Sequence, residues 1–293
     1  MVIDGAMEYL THIPRPPLSH FIEYLWSLRD APGHAMERIV PSATLELVVN
    51  LHEDELRIYD REGGACRRYA GASVSGAYGR YFVIDTREHA SIVGVHFRPG
   101  CAGPLLGVPP GALADQHVAL AALWRGAASE LRERLCAAAT AAARFAVLEQ
   151  VLMQRLAEPH GHPAVPFALE ELGRPGTTVG EVAARLQLSR RRLIEVFTAE
   201  VGMTPKRLSR VLRFQRASAL ARRANMPDWG RLALACGYFD QPHLIRDFRE
   251  LTGMSPGRFV QASAPAKDNH VAVADDRGPP GVKFVQATGR RRS

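Results

Sequence analysis

Cysteine is scarce in this 293-residue chain, and the four that occur (Cys66, Cys101, Cys136, Cys236) form no C-x-x-C pair. That spacing argues against a zinc ribbon, a thioredoxin-type dithiol or a disulfide framework. Long apolar runs are missing too, since no stretch approaches the roughly 20 residues needed to span a bilayer. Met1 to Leu10 lacks a basic start followed by an apolar segment, so no signal peptide is expected and the chain reads as soluble and cytoplasmic. Catalytic signatures are also lacking: there is no G-x-S-x-G elbow, Walker loop or G-x-G-x-x-G. His89 with His96, and His160 with His162, are lone histidine pairs, a weak signal for a metal site. Apart from Cys66 beside Arg67 and Arg68, no cysteine has an evident basic helper. No catalytic residue, metal or cofactor is expected, and the chain does not read as an enzyme.

Lysine is nearly absent, at 3 residues against 34 arginines, a bias that GC-rich coding also produces. The net charge of +7 is unevenly spread. Residues 1–163 carry 15 arginines against 18 acids, whereas 164–262 carry 16 basic residues against 9 acids. The tail, 263–293, adds 6 basic and 3 acidic residues. An acidic front joined to a basic back suggests that the back half meets a polyanion.

Composition shifts divide the chain. Residues 38–98 read as strand-rich: Arg38–Leu51 alternates apolar and polar residues, and β-type runs follow at Leu56–Tyr59, Tyr81–Ile84 and Ser91–Phe97. Over 112–156 the period turns helical, with Phe145, Leu148, Leu152 and Leu156 on one stripe. The turn-rich segment 158–163 marks a linker. The expected fold is therefore multidomain α+β. A strand-rich antiparallel domain with helices (1–157) precedes an all-α domain (164–262) and a polar, disordered tail (263–293).

The basic half contains an internal repeat. Leu193-Ile-x-x-Phe197-x4-Gly202-Met-Thr-Pro205-x-Arg207-Leu208 is echoed 51 residues later by Leu244-Ile-x-x-Phe248-x4-Gly253-Met-Ser-Pro256-x-Arg258-Phe259. Thr178-x-x-Glu181 is a capping box opening a short helix. Ser189 caps the next, and Gly202 supplies its left-handed end. Asp228, Gly237, Asp240 and Gly253 repeat those roles. Each copy thus reads helix, turn, helix. Between them Pro205–Arg223 reads as one continuous helix, roughly 28 Å long at about 1.5 Å per residue. That approaches one turn of duplex DNA, so two recognition helices, about 189–201 and 241–252, can enter successive major grooves.

These residues resemble the AraC/XylS-type bacterial transcription regulators. The resemblance is specific from Ala164 to Gln261 and strongest in GYFDQPHLIRDFRELTGMSPGRF, Gly237 to Phe259. More loosely, Pro16–Trp26, Val40–Asn50 and Gly94–Gly100 resemble the sensor-like domain of a subset of that family. The resemblance implies sequence-specific binding to double-stranded DNA.

With Leu193 and Phe197 inward, the first recognition helix offers Arg190, Arg191, Ile194, Glu195 and Thr198 outward; the second offers Gln241, Pro242, Ile245 and Arg246. Arg191 and Arg246 suit guanine, Gln241 adenine, Glu195 cytosine N4 and Ile194 a thymine methyl. Glu195 departs from the basic or polar residues common at that place. Arg192, Arg207, Arg210, Arg213 and Arg258 are expected to meet phosphates. In the front half, Glu46, Asn50, His96 and Arg98 are candidate anchors of an effector pocket, each equally readable as an ordinary core or edge polar residue. A small-molecule effector, a homodimer and an RNA polymerase contact all stay open as partners; a membrane does not. The alternative is a sensing module whose basic half binds nucleic acid without strong sequence preference.

Overall fold

The computed structural model describes residues 8–29, 36–60, 65–86, 90–158, 161–224, 227–263 and 269–273. His89, His160, residues 264–268 and Arg290–Arg292 lie outside them.

Among the described residues, eleven strands form two antiparallel sheets. In chain order they are β1 (Glu8–His12), β2 (Ile22–Arg29), β3 (Met36–Ile39), β4 (Glu46–Asn50), β5 (Glu55–Tyr59), β6 (Cys66–Ala70), β7 (Ala72–Ser75), β8 (Phe82–Asp85), β9 (Ser91–Phe97), β10 (His117–Ala119) and β11 (His270–Ala272). The first sheet runs β1-β2-β9-β4-β7-β10 and the second β11-β3-β8-β5-β6. At the centre of the first sheet, β9 is buried on both faces, which is why Ser91–Phe97 is almost continuously apolar. One face (Leu25, Leu47, Val49, Val74, Val93, Val95, Phe97) joins the main core. The other face (Trp26, Leu28, Ile92) forms a separate cluster. Gly94 sits under the Trp26 indole, where a Cβ would lie 2.2 Å from Cε2. Only glycine lets that ring lie flat on the strand.

Helices α1 (Gly103–Leu106), α2 (Leu120–Trp124), α3 (Gly126–Ala137) and α4 (Ala141–Arg155) complete the N-terminal domain. The stripe of α4 is buried at Phe145, Leu148 and Leu152 as the sequence predicts. Then follow α5 (Ala164–Leu172), α6 (Val179–Arg185), α7 (Arg190–Val201), α8 (Pro205–Ala224), α9 (Trp229–Ala235), α10 (Gln241–Thr252) and α11 (Pro256–Ala262). Among the described residues no helix is long and apolar enough to cross a membrane.

Two expectations need correction. The alternation of Arg38–Leu51 belongs to two strands rather than one. The chain leaves β3 in the second sheet, bends through Pro41 and Ala43 (φ 63°), and enters β4 in the first. Apolar alternation persists through the bend because Val40, Ala43 and Leu45 are buried there too. The tail after 263 is not wholly unstructured either. His270–Ala272 pairs antiparallel with Ile39–Glu37, and His270 Nδ1 lies 2.6 Å from Glu37 Oε2. Three residues are too short for a periodic signal, so composition alone misread them.

Candidate nucleic-acid interface

Each helix-turn-helix is fixed by its caps. Thr178 and Glu181 close the capping box of α6, and the Thr178 backbone and hydroxyl bonds hold the Glu181 carboxyl below its usual range. Ser189 Oγ accepts from Arg192 N at 3.1 Å, and Asp240 Oδ1 accepts from His243 N at 2.7 Å. Asp228 caps α9 through the N–H groups of Gly230 and Arg231. Gly202 (φ 84°) and Gly253 (φ 73°) end the recognition helices α7 and α10. Such caps contribute about 1 kcal/mol each and set where each helix begins. Inside, α7 buries Leu193, Val196, Phe197 and Val201, while α10 buries Leu244, Phe248 and Leu251. Phe214 of α8 packs edge-on against Phe248 (4.9 Å) and Phe259 (5.6 Å), tying the linker helix to the second copy.

The outward faces largely match the sequence reading. Arg190, Arg191, Arg192, Ile194 and Glu195 are exposed on α7, as are Gln241, Pro242 and Arg246 on α10. Ile245 is half-buried and packs against the core. Glu195 does not stand alone: Arg191 Nε is 2.9 Å and Arg192 3.7 Å from its carboxylate. Thr198, grouped with the outward residues, instead faces the N-terminal domain. The turn at Pro110–Leu113 lies against α7 there, and a Cβ on Gly111 would come within 2.7 Å of the Thr198 carbonyl oxygen.

The arginines expected at phosphates fall into two groups. Arg192 and Arg258 are exposed. Arg210 and Arg213 of α8 converge on Asp247 of α10, whose side chain is 6% exposed, at 2.8 and 3.0 Å. Arg210 also reaches Glu250, and Arg213 lies over the Tyr238 ring at 4.5 Å. Arg207 makes a bidentate pair with Asp115 of the N-terminal domain, both distances 2.6 Å. Three residues outside the sequence reading lie on or beside this face: Arg249, about one turn beyond Arg246; half-buried His243; and Phe239, 86% exposed in the turn before α10. The helical spacing from Arg246 could have found Arg249. On α9, Leu234 is 67% exposed.

Of the pocket candidates, only Glu46 lines the cavity between the two sheets. His96 stands beside it, its Nδ1 2.7 Å from Glu46 Oε1 and its ring stacked on Tyr24. Asn50 and Arg98 do not line that cavity. The Asn50 amide donates to the Glu55 carbonyl, while its oxygen accepts from His52 N and Glu53 N. Arg98 donates to the Ser19 carbonyl on the surface. Both polar groups serve turns, a use that sequence type alone does not separate from ligand binding. Among the described residues no group of three or more His, Cys, Asp or Glu is placed to hold a metal.

Comparison with known proteins accords with this geometry. Residues 182–262 match the family described as Helix-turn-helix domain, and residues 10–119 match Domain of unknown function (DUF6597). The chain is 28% identical over 141 residues to the HTH-type transcriptional regulator CdhR of Pseudomonas aeruginosa; the match takes in 47% of this chain and 39% of that regulator's length. A probable AraC family transcriptional regulator from Rhodopseudomonas palustris is 27% identical, with 36% of this chain and all of that one covered, at a TM-score of 0.31. ToxT from Vibrio cholerae is 8% identical, with 88% and 98% covered, at a TM-score of 0.43. The chain thus carries a segment that matches a helix-turn-helix domain behind one that matches a domain of unknown function.

Proposed function

We propose that the chain is a sequence-specific DNA-binding transcription regulator whose α7 and α10 enter successive major grooves. The observation that carries this reading is the doubled, capped helix-turn-helix whose two recognition helices keep their polar faces exposed while their apolar faces lock into one core. Arg190, Arg191, Ile194 and Glu195 on α7, and Gln241, Pro242, Ile245 and Arg246 on α10, are the base-reading set. Phe239 extends that surface with an apolar contact to the sugar-phosphate edge. Arg192 and Arg258 meet phosphates. Arg210 and Arg213 serve chiefly by holding α10 through Asp247. The N-terminal domain modulates DNA binding through a ligand or through a homodimer. Two readers in one chain span two grooves without a second copy. The proposed setting is the cytoplasm, with an RNA polymerase contact wherever the regulator activates, and no enzymatic step is part of the reading.

Selection of bound sequences from random duplex DNA by the full chain tests it. Two short blocks about one helical turn apart are expected. Arg246→Ala should cost roughly 1–3 kcal/mol and relax a single base position. Binding that is salt-sensitive but blind to sequence would replace the regulator with a general nucleic-acid binder.

A further inference from the structure

The two recognition helices differ at one of the positions that face outward. On α7 the carboxylate of Glu195 stands among cations, whereas the matching place on α10, 51 residues later, holds Arg246. Facing phosphates by itself, that carboxylate would be repelled. The fold gives it a partner instead. Arg191 donates its Nε–H to Glu195 Oε1 at 2.9 Å, about one turn away on the same face. Arg192 lies 3.7 Å from the other carboxylate oxygen. Arg190 is placed differently: its guanidinium lies over Gly180 of α6, where a Cβ would come within 2.6 Å of it. On α10 the acid one turn after Arg246 is Glu250, and that carboxylate is taken by Arg210. Of the three arginines in the base-reading set, Arg191 is therefore the one with a carboxylate bonded to it.

The atom used for that bond decides what the guanidinium can still do. Arginine carries five N–H groups in a fixed planar fork. With Nε–H given to Glu195, the two terminal nitrogens keep their forward pair of N–H groups. That pair matches O6 and N7 of guanine. An unrestrained arginine loses rotamer freedom when it docks, and a partner that already holds it reduces the loss. In water the pair contributes little, because the Arg191 side chain is 90% exposed. In a groove from which water is displaced the same bond strengthens.

We propose that Glu195 is a positioning residue: it holds Arg191 so that the terminal nitrogens read one guanine, and it makes no base contact of its own. The inference rests on the DNA-reading role of α7 proposed above, and Glu195 enters the base-reading set through Arg191. Direct acceptance from cytosine N4 by Glu195 leads to a different pattern of base preference.

The test is selection of bound sequences from random duplex DNA by the full-length protein and by Arg191→Ala, Glu195→Ala, Glu195→Gln and the double alanine variant. Both side chains are exposed, so the variants keep the fold, which circular dichroism checks. Arg191→Ala should lose preference for one guanine by at least about tenfold, and Glu195→Ala should relax the same guanine by about threefold or more. The double variant should match Arg191→Ala, since the second change removes nothing further. Glu195→Gln keeps an oxygen that accepts from Nε and should retain most of the preference. Glu195→Ala should also bind duplex of arbitrary sequence more tightly, because a negative charge has left a phosphate-lined groove. Affinity rising while specificity falls is a combination that a merely structural role does not produce. Relaxation at a cytosine in place of the guanine, additive losses in the double variant, or an unchanged guanine preference in Glu195→Ala would each overturn the proposal. If the unaltered protein selects two blocks and one of these results appears, the role of Glu195 alone fails. If it selects no sequence at all, the regulator reading fails and this inference with it.

Discussion

Removing the Asp247 carboxylate separates two accounts of the arginines on α8. Asp247 is buried and accepts from Arg210 Nε at 2.8 Å and from Arg213 at 3.0 Å, so one carboxylate fixes the α8–α10 junction. Breaking a fully buried pair costs about 3–5 kcal/mol, most of it from the charge left unpaired. Here the two guanidiniums are 32% and 27% exposed, and Arg210 keeps Glu250, which lowers the expected cost of Asp247→Ala to about 2–3 kcal/mol. Asp247→Asn, which retains one acceptor, should cost about half as much. Urea unfolding followed by circular dichroism reads both values. DNA binding supplies the second readout. If Arg210 and Arg213 position α10, Asp247→Ala lowers operator affinity because the recognition helix loses its anchor. If they are phosphate ligands restrained by Asp247, the same change frees two cations, tightens binding and steepens the salt dependence by up to about 0.9 log units per contact. Unchanged stability together with tighter, more salt-dependent binding would refute the positioning role.

Further outcomes follow from single residues. Gln187 takes φ 55° at the turn where the second copy has Gly237 at φ 80°; Gln187→Gly relieves a left-handed side chain worth about 1–2 kcal/mol, less some unfolded-chain entropy, and should raise the urea midpoint by about 0.5–1 kcal/mol in stability. The His117 imidazole, pushed down to about 3 by burial, refuses a proton that the unfolded chain takes near pH 6.5. Its contribution is therefore complete above that pH and falls by about 1.4 kcal/mol per unit as pH drops toward 3. Urea unfolding at pH 7 and pH 5 should show His117→Phe removing about 2 kcal/mol of that loss. Asp115→Ala breaks a half-exposed bidentate pair, so stability should fall by no more than about 1 kcal/mol. The released Arg207 should steepen the salt dependence of DNA binding by about one phosphate contact, read by affinity against salt concentration.

The all-α half was legible because its signals are local and repeated. Capping residues, C-terminal glycines and the 51-residue offset each report geometry within a few residues, and α6 to α11 lie where those signals put them. The front half depends on pairings between distant segments. Glu8–His12 and Ile22–Arg29 are strands because β2 sits beside β9, some seventy residues on, a relation that alternation cannot express. The same limit explains the candidate anchors. Glu46 and Asn50 lie on one strand four residues apart, yet one lines the cavity and the other braces the following turn. The arginines of α8 show a related limit. Charge reveals affinity for anions in general, and Asp115 and Asp247 are anions supplied by the fold itself.

Those internal anions bear on how the two halves can communicate. A sensing domain alters a DNA-binding domain only if its contacts differ between two states. Here the contacts converge on the reading apparatus: the turn at Pro110–Leu113 lies on the C-terminal end of α7, Asp115 holds Arg207 at the start of α8, and the Tyr81 ring covers Gly253 at the end of α10. From the other side, β11 carries the chain beyond α11 back to β3, where His270 meets Glu37 beside the cavity. The DNA-binding domain is thus joined to the N-terminal domain before α5 and again after α11. Both connections are static contacts of a single state, and coupling between the halves requires that at least one of them differ in a second.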